Sequence, residues 1–155
     1  MQDRTSSLLA IRPNIDTIDK ALNTKEIETF QNDVLRPILK FQNDLLLQIF
    51  IDYANQYKGV FFKLSDHAKL SYIQQALSTN QRLRNLILGT IVGLFAVEDY
   101  GYYRLNLSAL NKRIISMAIQ RLQSQLDYLI NYNLDFFSQS TSLSSYSSTH
   151  IPLSQ

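Results

Sequence analysis

The sequence predicts an all-α fold, a single-domain bundle of about four helices. Apolar residues recur at spacings of three and four over much of the chain, the pattern of helices with one buried face. Of the 155 residues, 45% are hydrophobic and 18% charged, a composition typical of a globular domain. We expect the bundle over residues 24–137, an irregular N-terminal arm over 1–23 with at most one helical turn, and a disordered Ser-rich tail over 138–155.

The first long apolar stripe should begin after Thr24, whose hydroxyl is an expected N-cap. It comprises Ile27, Phe30, Val34, Ile38, Phe41, Leu45, Ile49, Tyr53 and Tyr57. Pro37 interrupts this stripe, because proline lacks the amide proton that a helix interior uses. Two arrangements therefore remain open: a short helix followed by a main helix capped by Asp33, or one long helix kinked near Arg36.

Glycine and Ser/Asn positions predict the later boundaries. Gly59 should end the first segment in the left-handed conformation, and Ser65 should cap a second, short helix. A third helix over residues 83–95 carries apolar side chains on two faces and is expected to be the central, most enclosed one. The stretch 97–107 is ambiguous between an interrupted turn and a continuation into the last helix.

The last helix should end near Asn133. Its stripe contains one cation among apolar residues and consists of Leu107, Leu110, Ile114, Met117, Ala118, Arg121, Leu122, Leu126, Leu129 and Tyr132. For the whole domain we predict a core of Phe30, Ile38, Phe41, Leu45, Ile49, Tyr53, Leu86, Ile87, Leu94, Phe95, Leu110, Ile114, Met117 and Leu126.

An uncharged run of twelve residues, "LILGTIVGLFAV" over 86–97, contains Gly89 and Gly93 four positions apart. Twelve apolar residues are too few to span a membrane, which takes about 20. Two glycines at this spacing allow a second helix to approach closely. We expect that neighbour to belong to the same domain, with a seam between two copies of the chain as the alternative, so that Gly93→Leu would overpack the contact.

Side chains suited to metal binding or nucleophilic catalysis are scarce. The chain has no cysteine and two histidines, His67 and His150, so we predict no metal site and no cofactor. Ser65, Asp66 and His67 are the residue types of a catalytic triad, but neighbours on one helical turn do not face one another as a triad requires. We therefore assign no catalytic residue.

Polar residues beside the apolar stripes suggest two candidate binding sites. A polar pocket could form from Arg36, Asn43, Asp44, Asn111 and Arg113. A basic and aromatic patch suited to RNA could form from Arg82, Arg84, Tyr102, Tyr103, Arg104, Lys112 and Arg113. The formal net charge of only +2 makes a nucleic-acid partner the less favoured interpretation.

Three segments, "LLAIRPNID", "LRPILKFQNDLL" and "SALNKRI", together resemble a family of small, uncharacterised, all-helical bacterial proteins. The resemblance covers roughly residues 7–130 and implies a single helical domain. Some members of that family are labelled glyoxalase, which would imply a metal-dependent enzyme with His and Glu ligands.

The leading hypothesis is a non-enzymatic protein-interaction or regulatory module that has a protein partner or associates with itself. The absence of cysteine and of an apolar signal segment favours the cytoplasm. The alternative is a small-ligand-binding protein or enzyme that uses the polar pocket. A second alternative is a weak RNA binder.

Overall fold

The computed structural model of the protein describes residues 3–14 and 26–131. Over these ranges the chain is all-helical and contains no strand, which confirms the predicted fold class. The described ranges contain eight named α-helices: α1 (Arg4–Ile11), α2 (Glu26–Phe30), α3 (Arg36–Phe41), α4 (Asn43–Gln56), α5 (Asp66–Thr79), α6 (Gln81–Val92), α7 (Val97–Leu105) and α8 (Leu107–Gln123). A π-helical segment (Gln31–Leu35) joins α2 to α3, a 3₁₀ segment (Val60–Lys63) precedes α5, and a helical stretch over 126–131 follows α8.

The predicted count of about four helices is wrong because the long predicted helices are broken. Thr24, the boundaries at 23/24 and 137/138, and the tail over 138–155 lie outside the described residues. Within them, Asn106 separates α7 from α8, which resolves the ambiguous stretch 97–107 as a helix of its own. Residues 124–125 form a turn before the final stretch.

Pro37 accounts for the π-helical segment. Pro37 lies buried in the first turn of α3. The backbone N–H of Arg36 donates a hydrogen bond to the Gln31 carbonyl, five residues earlier. A proline has no amide proton and its ring crowds the carbonyl four residues before it, which a wider turn relieves. Asp33 is therefore an exposed residue inside the π-helical segment, and the prediction that it caps a main helix is wrong.

The break at Gln42 moves the buried face of α4 by one residue. Gln42 has ψ 6°, and beyond it the buried side chains of α4 are Leu46, Leu47, Phe50, Ile51 and Ala54. The predicted stripe instead placed Leu45 in the core, where it is 47% exposed. One residue corresponds to a rotation of about 100° around a helix. The stripe predicted beyond Gln42 therefore falls outside the buried face of α4.

Six of the fourteen predicted core residues are buried: Phe30, Ile38, Ile87, Phe95, Leu110 and Ile114. Five are partly buried and pack against the core: Ile49, Tyr53, Leu94, Met117 and Leu126. The prediction is wrong for Phe41, Leu45 and Leu86, which are 48%, 47% and 54% exposed.

Among the described helices, α8 and not α6 contributes the largest number of buried side chains. The buried side chains of α8 are Leu110, Ile114, Ile115, Ala118, Ile119 and Leu122. Only Leu83, Ile87 and Ile91 are buried on α6, a single stripe, so the prediction of two buried faces is wrong. The stripes of α4, α5 and α6 converge with that of α8 in one core.

The predicted cap at Ser65 and the predicted left-handed conformation of Gly59 are confirmed, and Asn80 adds a cap that was not predicted. The Ala68 amide donates to Ser65 Oγ at 3.3 Å, and the Leu83 amide donates to Asn80 Oδ1 at 2.9 Å. Gly59 has φ 63° and its amide donates to the Ala54 carbonyl at 3.0 Å. These bonds satisfy helix-end groups that have no partner inside the helix.

The N-terminal arm contains an eight-residue helix, α1, so the prediction of at most one turn is wrong. None of the side chains of α1 is buried. Its Arg4 donates to the Phe95 carbonyl at 2.8 Å and to the Gly93 carbonyl at 3.0 Å. Arginine thus satisfies carbonyl groups at and beyond the end of α6, which have no helical partner.

Arg12, which directly follows α1, makes a second attachment to the same turn. Its guanidinium donates to the Leu94 carbonyl at 3.3 Å and to Asp99 Oδ2 at 2.9 Å. The side chains of this ion pair are only 10% and 17% exposed. Asp99 Oδ2 also accepts from the Ala96 amide at 3.0 Å and so caps α7.

We expect Asp99→Ala to lower the free energy of unfolding by about 2–3 kcal/mol, because both the cap and the partner of a largely buried arginine are lost. Glu98→Ala is the matched control, since Glu98 is exposed and its removal should change stability by no more than about 0.5 kcal/mol. Urea unfolding of the two variants measures the difference. Equal losses in the two would contradict this role of Asp99.

The two glycines do not form a close helix contact within the described domain. Gly89 is exposed, and a Cβ added there would meet no atom within 4 Å. Gly93 is also exposed, and its added Cβ would lie 3.0 Å from the Gly89 carbonyl, an atom of the same turn. No described residue is therefore the close neighbour predicted for these glycines, and among the described residues Gly93→Leu would overpack no contact with a second helix.

We expect Gly89→Ala to stabilise the protein by about 0.5–1 kcal/mol, because alanine restricts the unfolded chain and has free space in the helix. Gly93→Ala should gain less or lose stability, because its Cβ is held against the Gly89 carbonyl. Urea unfolding of the two variants makes the comparison. A destabilised Gly89→Ala would show that this position is packed after all.

Candidate functional site

A polar cleft of about 450 Å³ lies between α3 and α8. It is lined by Gln31, Arg36, Leu39, Lys40, Met117, Gln120, Arg121 and Ser124. This volume falls within the range of about 300–1,000 Å³ common for small-molecule sites. We call this cleft the α3–α8 cleft.

The positions of the lining residues follow from helix periodicity. Arg36 and Lys40 are four residues apart on the exposed face of α3, while Leu39 between them is buried and forms part of the floor. Residues three or four apart on a helix lie on one face, which brings Met117 and Arg121 of α8 to the opposite wall. The cleft therefore has an apolar floor of Leu39 and Met117 and a rim of cations.

Arg121 is the most enclosed cation of the cleft. Its Nη1 donates to Asn43 Oδ1 at 3.2 Å, and burial lowers the pKa of its guanidinium. Among the residues that the structure describes, no carboxylate lies within 4.0 Å of Arg121, Arg36 or Lys40. Burial without an ionic partner is costly for a charged group, so the site favours an anion that would supply one.

A network of amide side chains holds Arg121 in place. Gln125 Nε2 donates to Asn43 Oδ1 at 2.8 Å, and Asn43 Nδ2 donates back to Gln125 Oε1 at 3.1 Å. Asn43 Oδ1 thus accepts from both Arg121 and Gln125. The network fixes the start of α4 to the end of α8 and orients the guanidinium at the cleft.

The five residues of the predicted polar pocket do not converge at one point. Arg36 lines the cleft, Asn43 lies behind Arg121, and the exposed Asp44 accepts from Asn43 Nδ2 at 3.1 Å. Arg113 Nη1 donates to Gln31 Oε1 at 2.5 Å and so supports a lining residue. Asn111 lies apart from these four, since its Oδ1 accepts from the Tyr103 hydroxyl.

Lys40, Gln120 and Arg121 line the α3–α8 cleft but were not among the residues predicted for a polar pocket. The available signal was Arg121 itself, a cation that falls within the otherwise apolar stripe of the last helix. A charged residue on a core-facing stripe needs compensation for its lost hydration. The helix that faces Arg121 across the cleft could not be inferred from the sequence, because its position depends on the break at Gln42.

The predicted basic and aromatic patch is divided among different surfaces. Tyr103 is buried, with a pKa raised mainly by that burial, and Tyr102 packs on Phe30 with ring centroids 4.9 Å apart. Arg84 and Lys112 do come together, in a second cleft on the other side of α8. Arg82 lines a third cleft with Tyr53 and Tyr57.

Over residues 3–14 and 26–131, no three His, Asp or Glu side chains are grouped closely enough to hold a metal ion. His67 is exposed in the first turn of α5, and His150 lies outside the described residues. No helix in these ranges is both long enough and apolar enough to span a membrane.

Comparisons of the chain with protein-family models, with curated proteins and with solved structures found no significant match. They leave the resemblance to the helical bacterial family as a prediction.

Proposed function

We propose that the protein is a non-enzymatic binding module that holds a small organic anion, a phosphate or carboxylate, in the α3–α8 cleft. The observation that carries the proposal is Arg121, a partly buried guanidinium held by Asn43 with no carboxylate within 4.0 Å among the described residues. Arg36 and Lys40 add two further positive charges on the facing wall. Guanidinium groups bind phosphate and carboxylate through paired, charge-assisted hydrogen bonds.

The uncharged residues of the cleft indicate which groups the ligand should carry besides its anionic group. Leu39 and Met117 offer apolar contacts beneath the cations, and methionine adapts to ligands of varied shape. The uncharged Gln31, Gln120 and Ser124 can donate to or accept from polar groups. The arrangement fits an anion with a short organic body.

We expect Arg121→Gln and Arg36→Gln each to weaken binding of inorganic phosphate by roughly tenfold or more, because each removes a charge-assisted hydrogen bond. Arg104→Gln is the matched control, an exposed cation of α7 outside the cleft. Isothermal titration with phosphate and with succinate measures the affinities and distinguishes the two anion classes. The affinity should also fall as salt is added, since exposed charges are screened.

Two results would contradict anion binding in this cleft. The first is no heat of binding for either anion with the unaltered protein. The second is an equal loss in all three variants, which would reflect net charge alone. Thermal unfolding of each variant shows whether it is folded, and Arg36→Gln is the more secure test because Arg36 is exposed.

Self-association is a second candidate function, favoured by an outer apolar face formed by Phe41, Leu45, Ile49, Tyr57 and Leu86. Four of these side chains are 47% to 54% exposed, and Ile49 is partly buried. Gln42 Nε2 donates to the Thr90 carbonyl at 3.1 Å, which joins the beginning of α4 to the end of α6. Ile49, Tyr57 and Leu86 line one cleft together, exposed apolar side chains grouped in this way are typical of a protein-contact site, and a second copy of the chain is the partner we propose.

We expect native mass spectrometry to detect a dimer that Leu86→Lys abolishes, because a lysine would be buried in the contact without a partner. Leu105→Lys is the matched control, since Leu105 is 77% exposed and does not belong to this face. A monomer at all concentrations, or equal effects of the two substitutions, would rule out this interface.

A further inference from the structure

Beyond the α3–α8 cleft, the second cleft on α8 has the same electrostatic character. Its volume is about 630 Å³, and it lies among α5, α6 and α8. It is lined by Gln74, Ser78, Arg84, Ser108, Lys112, Ile115, Ser116, Ile119, Gln120 and Gln123. We call it the α5–α8 cleft. Two of these residues are cations and none is acidic.

The two cations of the α5–α8 cleft are not neutralised by the domain. Among the described residues, neither Arg84 nor Lys112 has a carboxylate within 4.0 Å. Arg84 is partly buried on α6, and Lys112 is exposed on α8. The remaining polar lining consists of serine and glutamine, which can bind phosphate oxygens without adding charge.

Gln120 joins the two clefts because it lines both. It belongs to an exposed row at spacings of four along α8, formed by Ser108, Lys112, Ser116, Gln120 and Ser124. This row contains no large apolar and no acidic side chain, so an extended ligand can cross it from one cleft to the other. The whole of α8 carries three cations and no carboxylate.

The distance between the cations sets the size of such a ligand. Lys112 and Arg121 are nine residues apart on α8, which corresponds to about 13 Å along the helix axis and half a turn around it, so a path over the helix surface between them is about 20 Å long. Inorganic phosphate cannot span this distance, whereas an elongated molecule with phosphate groups near its two ends can. When two linked groups bind two sites together, the second event is intramolecular and affinity rises by a factor of about 10² or more.

We propose that the two clefts form one divided site for an elongated molecule with at least two phosphate groups, one bound by Arg36 and Arg121 and the other by Arg84 and Lys112. This inference rests on the proposed anion-binding function and extends it from one cleft to two. It assigns a binding role to two cations that the α3–α8 cleft does not use.

The test compares three probes by isothermal titration: inorganic phosphate, tripolyphosphate, and a linear polyphosphate whose extended length exceeds about 20 Å. The protein variants are Arg121→Gln, the double variant Arg84→Gln with Lys112→Gln, and the control Arg104→Gln. We expect the double variant to weaken the long probe by roughly a hundredfold and to change the affinity for inorganic phosphate less than twofold. Arg121→Gln should weaken all three probes.

Failure of the inference differs from failure of the proposed function. Two outcomes would overturn only the divided site and show that the clefts act separately. In the first, the long probe binds no more tightly than tripolyphosphate. In the second, the loss of Arg84 and Lys112 leaves the affinity for the long probe unchanged, while Arg121→Gln still weakens phosphate binding. If no probe binds the unaltered protein, both proposals are wrong. An effect of Arg104→Gln equal to that of the double variant would indicate general charge attraction and would overturn the divided site.

Discussion

The described fold depends on the burial of one face of α8. Six of its side chains are buried, and they meet the buried stripes of α4, α5 and α6 in a continuous core. The hydrophobic contribution of such burial, roughly 1.5–3 kcal/mol for each large aliphatic side chain, makes α8 the support on which the others are arranged. A helix held in this way has a fixed rotation, so the direction of its outward-facing residues is fixed as well.

This constraint explains why the proposed binding chemistry lies beside the core. Met117 and Arg121 occupy one flank of the buried stripe, and Lys112 and Ser116 occupy the other. The same rotation that buries Ile114 and Ala118 therefore presents cations on both sides of the helix. Asn43 adds a second restraint at Arg121, because the amide network joins α4 to the end of α8.

The fold class, the cap at Ser65, the helix end at Gly59 and much of the core could be predicted from the sequence, because these features depend on local periodicity and on single residues. The face of α4 could not be predicted, because the π-helical turn before Pro37 and the break at Gln42 change the helical phase. The apolar residues Phe41 and Leu45 continue the spacing of the stripe in the sequence, but their side chains are exposed in the structure. Arg36 was predicted as a site residue, whereas its neighbours in the cleft depend on how α3 packs beside α8, a tertiary contact that periodicity does not encode.

The attachment of α1 has a consequence for how the domain opens. None of its side chains is buried, and α1 is held by the guanidinium bonds of Arg4 and Arg12 to the turn after α6 and by Leu8 and Ile11, which lie beside Leu94. Elements with little buried apolar surface unfold locally at a free energy far below that of global unfolding. The amide protons of α1 should therefore exchange with solvent through detachment of this one helix, while those of α8 exchange only when the whole core comes apart.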